Sequence, residues 1–235
     1  MTPSEASGPR EVQVGRRVVL GMLGLGAAGV LLGSRVQGLF ERTLGRTGLS
    51  SVLPVSRFRI YTVTGTFPSR SESDYRLRIG GLVDRPVELT VGDLEAMAPT
   101  ELEKDFQCVT GWRVRDVSWK GVRLADLLDA AGVQAGAGGV RFVSFDGAYT
   151  ETLTLDQARR DDVIVAYELE GNPISTAHGG PVRLYVAPMY GYKSCKWLEA
   201  VEVTPPNPAP GYWEVRGYDV DAWVGRSNGR DDAPV

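Results

Sequence analysis

The sequence predicts an α+β domain built on a mixed sheet and preceded by an apolar N-terminal helix. Three observations carry that prediction. Apolar runs of strand character recur between Tyr75 and Val203 and are interleaved with short, irregularly spaced helical stretches, which argues against a doubly wound fold. Asp146-Gly147 lies between two β-rich runs, the signature of a hairpin. Val18 to Gly33 is a charge-free apolar run unlike anything after it.

Arg16-Arg17 ahead of that run give the layout of an export signal. At about 1.5 Å per residue it falls short of the roughly 30 Å hydrocarbon core. Its glycines and paired arginines match a twin-arginine signal, a route that exports folded proteins. The other reading is a membrane anchor whose arginines obey the positive-inside rule. Ser34-Arg35-Val36-Gln37-Gly38 fits a cleavage site poorly, so residues 1–34 read as signal or uncleaved anchor. Residues 35–56 read as a polar, glycine-rich linker, 57–225 as the folded domain and 226–235 as a polar tail.

Within the domain, Tyr75 to Ile79 alternates with period two and reads as a strand ending at Gly80-Gly81. Val83 to Pro86 is a turn, and Thr90 caps a short helix through Ala98. Residues 102–109 form the next strand, which puts Cys108 at its end or just beyond. Leu124 to Ala131 has helical spacing and stops at Gly132. Val140 to Phe145 and Tyr149 to Leu153 are the hairpin strands, with a short helix at Leu155 to Arg159 behind them. Val163 to Leu169, Val182 to Ala187 and Leu198 to Val203 are further strands. The proline run from Pro205 to Pro210 is extended or turned, and Gly211-Tyr212-Trp213-Glu214 and Gly217-Tyr218 bring aromatic surface that ties the tail to the core.

Composition narrows the function. At 235 residues and 43% hydrophobic content the chain buries a good core. A net charge of −3 gives no basic footprint for nucleic acid. Two distant cysteines make neither a zinc site nor a disulfide framework, and a single histidine rules out multi-histidine metal centres. No C-x-x-C-H is present, so a redox enzyme built on this chain passes its electrons to another protein.

Two segments carry chemistry. One is Asp105-Phe106-Gln107-Cys108-Val109-Thr110-Gly111-Trp112; the other runs from His178-Gly179-Gly180-Pro181-Val182-Arg183 through Lys193-Ser194-Cys195-Lys196-Trp197. A cysteine beside a Thr-Gly turn is reachable as a thiolate, whereas most free cysteines are small buried hydrophobes. Arg183, Lys196 and the turn amides around Ser194 suit an anion; taken singly, Arg183 reads as a strand residue and Lys196 as a solvated charge.

Together these segments resemble the molybdopterin-binding domain of the sulfite oxidase family, from about Tyr61 to Trp223. The resemblance implies Mo-molybdopterin as cofactor, with Cys108 as metal ligand and catalytic residue. It implies that His178, Arg183, Ser194, Cys195 and Lys196 hold the pterin and its phosphate, Cys195 through its backbone. Asp146 matches an aspartate that contacts the pterin, although Asp-Gly is also what a hairpin turn wants. Tyr61 and Thr62 fall where relatives make N-terminal cofactor contacts, but the Asn-x-His pattern found there is absent. Trp112 stands four residues past the cysteine, where a sulfite oxidase has a substrate arginine; the branch that reduces methionine sulfoxide also reads Cys-x-x-x-Trp. Lys193 replaces another substrate arginine, and Arg113 is placed to compensate. Tyr149 either hydrogen-bonds an oxo group or packs across the hairpin.

The resemblance thus implies a molybdenum oxidoreductase performing two-electron oxygen-atom transfer on a small sulfur-containing oxyanion or sulfoxide. A separate haem protein exchanges the electrons, and the catalytic domain is expected to be monomeric at the outer face of the cytoplasmic membrane. The alternative from another class is a cofactor-free exported binding module in which Cys108 and Cys195 are joined.

Overall fold

The computed structural model describes residues 58–226. The expected signal or anchor, the linker and the polar tail beyond 226 lie outside the described residues. Among the described residues no helix is long and apolar enough to cross a membrane.

The expected hairpin forms from β5 (Gly139–Ser144) and β6 (Thr150–Thr154) around the Asp146-Gly147 turn. They belong to a five-stranded sheet that adds β1 (Leu77–Gly81), β2 (Val87–Leu89) and β10 (Leu198–Thr204) in the order β2-β1-β10-β5-β6. The β1–β10 pair is parallel and the others antiparallel, so this is the expected mixed sheet. A second sheet, antiparallel throughout, joins β3 (Thr100–Gln107), β4 (Arg113–Arg123) and β7 (Val163–Leu169), with β8 (Asn172–Pro173) and β9 (Arg183–Val186) both pairing with β7.

The chain therefore folds as α+β on two sheets where the sequence showed one. The element that builds the second sheet, β4, escaped notice for a local reason. Asp116 adopts φ 51°, and the register shifts once opposite Lys104/Phe106 and again at Lys120/Gly121. The first bulge puts its extra residue in β4 and breaks the apolar alternation between Val114 and Val117, while the second puts its extra residue in β7.

The helices are short and capped as their sequences require. Thr90 caps α1 (Val91–Ala96) in a capping box with Asp93, and Thr154 does the same with Gln157 for α3 (Leu155–Ala158). Gly132 closes α2 (Leu124–Ala131) in the left-handed conformation. Leu124, Leu127 and Leu128 of α2 are buried, and the helix packs on β1, β4 and β7.

Two apolar clusters result. The larger gathers Leu77, Phe142, Leu184 and Val201 with α2. The smaller, on the second sheet, centres on Trp119 stacked on Tyr185 with ring centroids 4.3 Å apart, and Phe58, Phe106 and Trp112 pack against it. That aromatic cluster carries the strand end at which Cys108 sits.

Candidate functional site

Cys108 lies in the turn just after β3. Its amide donates to the Trp112 carbonyl at 2.9 Å, and Gly111 N–H returns to the Cys108 carbonyl at 3.1 Å. The thiol is half-buried, a free cysteine, and sits 3.2 Å from the Thr110 hydroxyl. Phe106 behind it stacks on Trp112 at 5.8 Å, so the turn is seated on rings.

The basic segment forms from two loops zipped together. Trp197 N–H bonds the Gly179 carbonyl at 2.9 Å, and the Trp197 indole donates to the Thr176 carbonyl at 2.8 Å. Gly179 has φ 98°, and a Cβ there would come within 2.6 Å of the Lys196 stem. Only glycine allows both the turn and the close approach that brings Lys196 beside His178.

One cavity of about 450 Å³ joins these segments: Cys108, Asp146, His178, Arg183, Ser194 and Lys196 all line it. Arg183 is buried and spends its donors on carbonyls, His178 O at 2.6 Å and Ser194 O at 3.0 Å. Lys196 donates to the Tyr61 carbonyl and lies 4.2 Å over the Trp197 ring. His178 accepts from or donates to Ser175 at 2.9 Å. Among the described residues no carboxylate lies at ion-pair distance from any of the three.

Burial without an ion-paired carboxylate pushes these groups toward neutrality, with Asp146 opposing only weakly at Lys196. Burial first, then Arg183, brings the Lys196 ammonium down to about 7. Burial likewise lowers Arg183 to about 10, and burial with Arg183 and Lys196 lowers His178. A cavity that holds cations in this state gains by taking up an anion, because the anion restores the charged forms.

Asp146 serves two ends. Its Oδ1 accepts from Ala148 and Tyr149 N–H at 2.9 and 2.8 Å and holds the hairpin turn. Its Oδ2 is buried, with no partner among the described residues, at the wall of the cavity. The Trp112 indole N–H is orphaned in the same way. Tyr61 and Thr62 also line the cavity, Tyr61 exposed and offering its carbonyl to Lys196. Tyr149 lines it too, stacks on Tyr212 at 5.5 Å and donates its hydroxyl to the Tyr192 carbonyl.

Three expected residues are not brought to this cavity. Arg113 opens on a different groove with Glu103, Lys104 and Asp105, where Gln107 accepts its hydrogen bond at 2.5 Å. Cys195 is fully buried; burial first and Glu151 second raise its thiol well above the usual range. Lys193 is fully enclosed, with Glu151 at 2.5 Å and Glu214 at 2.6 Å. Sequence reasoning missed both glutamates and the wall formed by Tyr192, Tyr212, Trp213 and Tyr218. The aromatic run 211–218 was the available signal.

Comparison with known proteins identifies the family. The family described as "Oxidoreductase molybdopterin binding domain" matches residues 64–213. The chain belongs to that family. The uncharacterized oxidoreductase YuiH of Bacillus subtilis (strain 168) is 37% identical over 163 residues, covering 68% of this chain and 81% of YuiH. Sulfite oxidase of Arabidopsis thaliana is 29% identical over 163 residues, covering 55% of this chain and 42% of the plant enzyme. The sulfane dehydrogenase SoxCD from Paracoccus pantotrophus shares the fold, with a TM-score of 0.54 and 24% identity over 58% of this chain and 40% of that one. This chain is thus a molybdopterin-dependent oxidoreductase of the sulfite oxidase family, and Mo-molybdopterin is its cofactor.

The residues present fit that group. A reachable thiol, three basic side chains without ion-paired carboxylates, and two orphaned polar atoms meet in one cavity. Among the described residues no group of three His, Cys, Asp or Glu is placed to hold a metal ion.

Proposed function

We propose that this protein catalyses two-electron oxygen-atom transfer on a small sulfur compound, with an uncharged sulfoxide as the favoured substrate class. When bound, the cofactor supplies the redox centre at which the oxygen atom is exchanged. Cys108 contributes its thiolate as the protein ligand to molybdenum. His178, Arg183, Lys196 and the backbone at Ser194 would hold the pterin and its phosphate, and Asp146, with its unpartnered Oδ2 at the cavity wall, would supply an acceptor to it.

The observation that carries this reading is the single cavity joining Cys108 to basic side chains without acidic partners. The substrate preference rests on charge. Sulfite is a dianion near neutral pH and calls for cations beyond those that hold the phosphate. Lys193 is paired with Glu151 and Glu214 and Arg113 opens elsewhere, which among the described residues leaves the exposed Arg59 as the remaining cation at the cavity wall. Trp112 and the aromatic wall suit an uncharged, apolar substrate instead.

Electrons are exchanged with a separate haem protein, and Arg16-Arg17 with the apolar run 18–33 support export to the outer face of the cytoplasmic membrane. The cofactor-free reading requires Cys108 joined to Cys195, and both are free thiols. Assaying methyl phenyl sulfoxide reduction with a reduced dye and sulfite oxidation with an oxidising dye tests the proposal. Turnover of the sulfoxide in preference to sulfite supports it; efficient sulfite oxidation with no sulfoxide turnover overturns the substrate class.

A further inference from the structure

The Lys193, Glu151 and Glu214 cluster has no part in holding the cofactor, yet it is the most thoroughly buried set of charges described. Side-chain exposures are 0%, 0% and 1%. Each glutamate gives Oε1 to the ammonium and leaves Oε2 buried without a hydrogen-bond partner among the described residues. Burial first, and Glu214 among the smaller causes, raises Glu151 well above the carboxylate range, with Lys193 opposing. A proton on Glu151 leaves the cluster neutral and gives the two unpartnered oxygens a hydrogen to share.

What the cluster connects gives it a purpose. Glu151 sits on β6, next to the hairpin that bears Asp146 and Tyr149. Lys193 ends the 3₁₀ turn Gly191–Lys193, directly before Ser194. Glu214 begins the 3₁₀ turn Glu214–Arg216 in the C-terminal tail. Gly211 makes the closure tight: a Cβ there would meet Glu214 Oε2 at 2.7 Å, the Thr150 carbonyl at 2.8 Å and Glu151 Cα at 2.9 Å. Tyr212 N–H then pairs with the Thr150 carbonyl at 2.8 Å.

From this docking point a connected set of rings runs along the cavity. Tyr149 stacks on Tyr212 at 5.5 Å, Tyr212 meets Trp213 at 5.3 Å, Trp213 meets Tyr218 at 5.0 Å, and Tyr218 meets Tyr192 at 5.4 Å. All five line the cavity that holds Cys108.

We infer that the Lys193–Glu151–Glu214 cluster is a latch that positions the tail rings Tyr212, Trp213 and Tyr218 as the substrate-side wall, and so determines the preference for an uncharged substrate. The three are positioning residues. Their mutual neutralisation hides Lys193 from the cavity, and their geometry places an apolar surface where a substrate cation would otherwise stand. The inference rests on the oxygen-transfer reading above for its substrate, but the latch itself does not.

Two readouts on the full chain, expressed with its cofactor, test it. Hydrogen exchange over residues 211–218 reads the latch without any turnover. Competition between methyl phenyl sulfoxide and its para-carboxylate, with one reduced dye, reads charge discrimination within a single reaction. Glu214→Ala should speed exchange of the Tyr212 segment and reduce the preference for the uncharged sulfoxide about tenfold, equivalent to ~1.4 kcal/mol, with molybdenum content unchanged. Glu214→Gln, which keeps an acceptor for Lys193, should restore most of both. Unchanged tail exchange in Glu214→Ala overturns the latch. Faster exchange with unchanged discrimination overturns its role in specificity. A cofactor-loaded wild type that reduces neither sulfoxide defeats the functional reading, and tail exchange then decides the latch alone. Should Glu214→Ala fail to fold, Gly211→Ala opens the same closure from the backbone side and is read in the same two ways.

Discussion

Lys193 and Lys196 stand three residues apart on one loop and have opposite electrostatic surroundings. Lys193 is sealed between two glutamates at 2.5 and 2.6 Å. Lys196 has a backbone carbonyl, an indole face and the repulsion of Arg183. A compensated buried charge ties the fold together, whereas an uncompensated one waits for a counter-ion, and only the second marks a binding site. The same contrast separates Arg113, tied to Gln107 and Asp105 in another groove, from Arg183, buried at the cavity with carbonyls alone.

The largest effect is expected at Cys108, the proposed metal ligand. Cys108→Ser should bring turnover down to the dye-only background while the melting temperature of the ligand-free protein stays close to wild type, since the thiol is half-buried in a turn held by backbone bonds. Retained turnover would remove Cys108 from the chemistry.

Next in size is the contrast between the two lysines. Lys193→Met leaves the Glu151–Glu214 pair buried without its cation and should cost about 3–5 kcal/mol, read by denaturant unfolding. Lys196→Met should leave ligand-free stability near neutral pH unchanged or raised, while cofactor occupancy falls. Equal destabilisation by the two would erase the distinction.

A pH series sharpens it. Lys196 titrates at about 7 in the folded protein and at about 10.4 in an unfolded chain. Between those values the unfolded state binds more protons, so ligand-free stability should rise from about pH 7 to about pH 10, by up to ~1.4 kcal/mol per unit, and Lys196→Met should flatten the rise. Sulfate, dianionic throughout this range, should bind less tightly as pH climbs past about 7, measured by calorimetry on ligand-free protein. The smallest effect belongs to Asp146→Asn: the amide oxygen keeps the turn, so stability should change by less than about 1 kcal/mol, while cofactor affinity drops roughly tenfold or more.

Much of the fold and the anion side of the cavity was legible because the signals are local. Asp146-Gly147, Thr90 with Asp93, and Gly132 each announce a turn or a cap within a few residues. Cys108 and the His178–Lys196 segment could be joined across seventy-odd residues only through the family resemblance, and the cavity now joins them in space. β4 was hidden by the bulge between Val114 and Val117 that broke its alternation. The division into two sheets depends on pairings such as β1 with β10, which no local pattern encodes. Glu151 and Glu214 read as ordinary surface charges because their partner Lys193 lies 42 and 21 positions away. For the same reason Lys193 looked like a substrate cation: its neutralisation is a tertiary fact.

The most direct test of the account is molybdenum analysis with free-thiol titration on the chain purified from a host that makes the cofactor. The account predicts about one molybdenum per chain in the wild type, lost in Cys108→Ser and strongly reduced in Arg183→Met. A wild type with intact thiols and no molybdenum would contradict it.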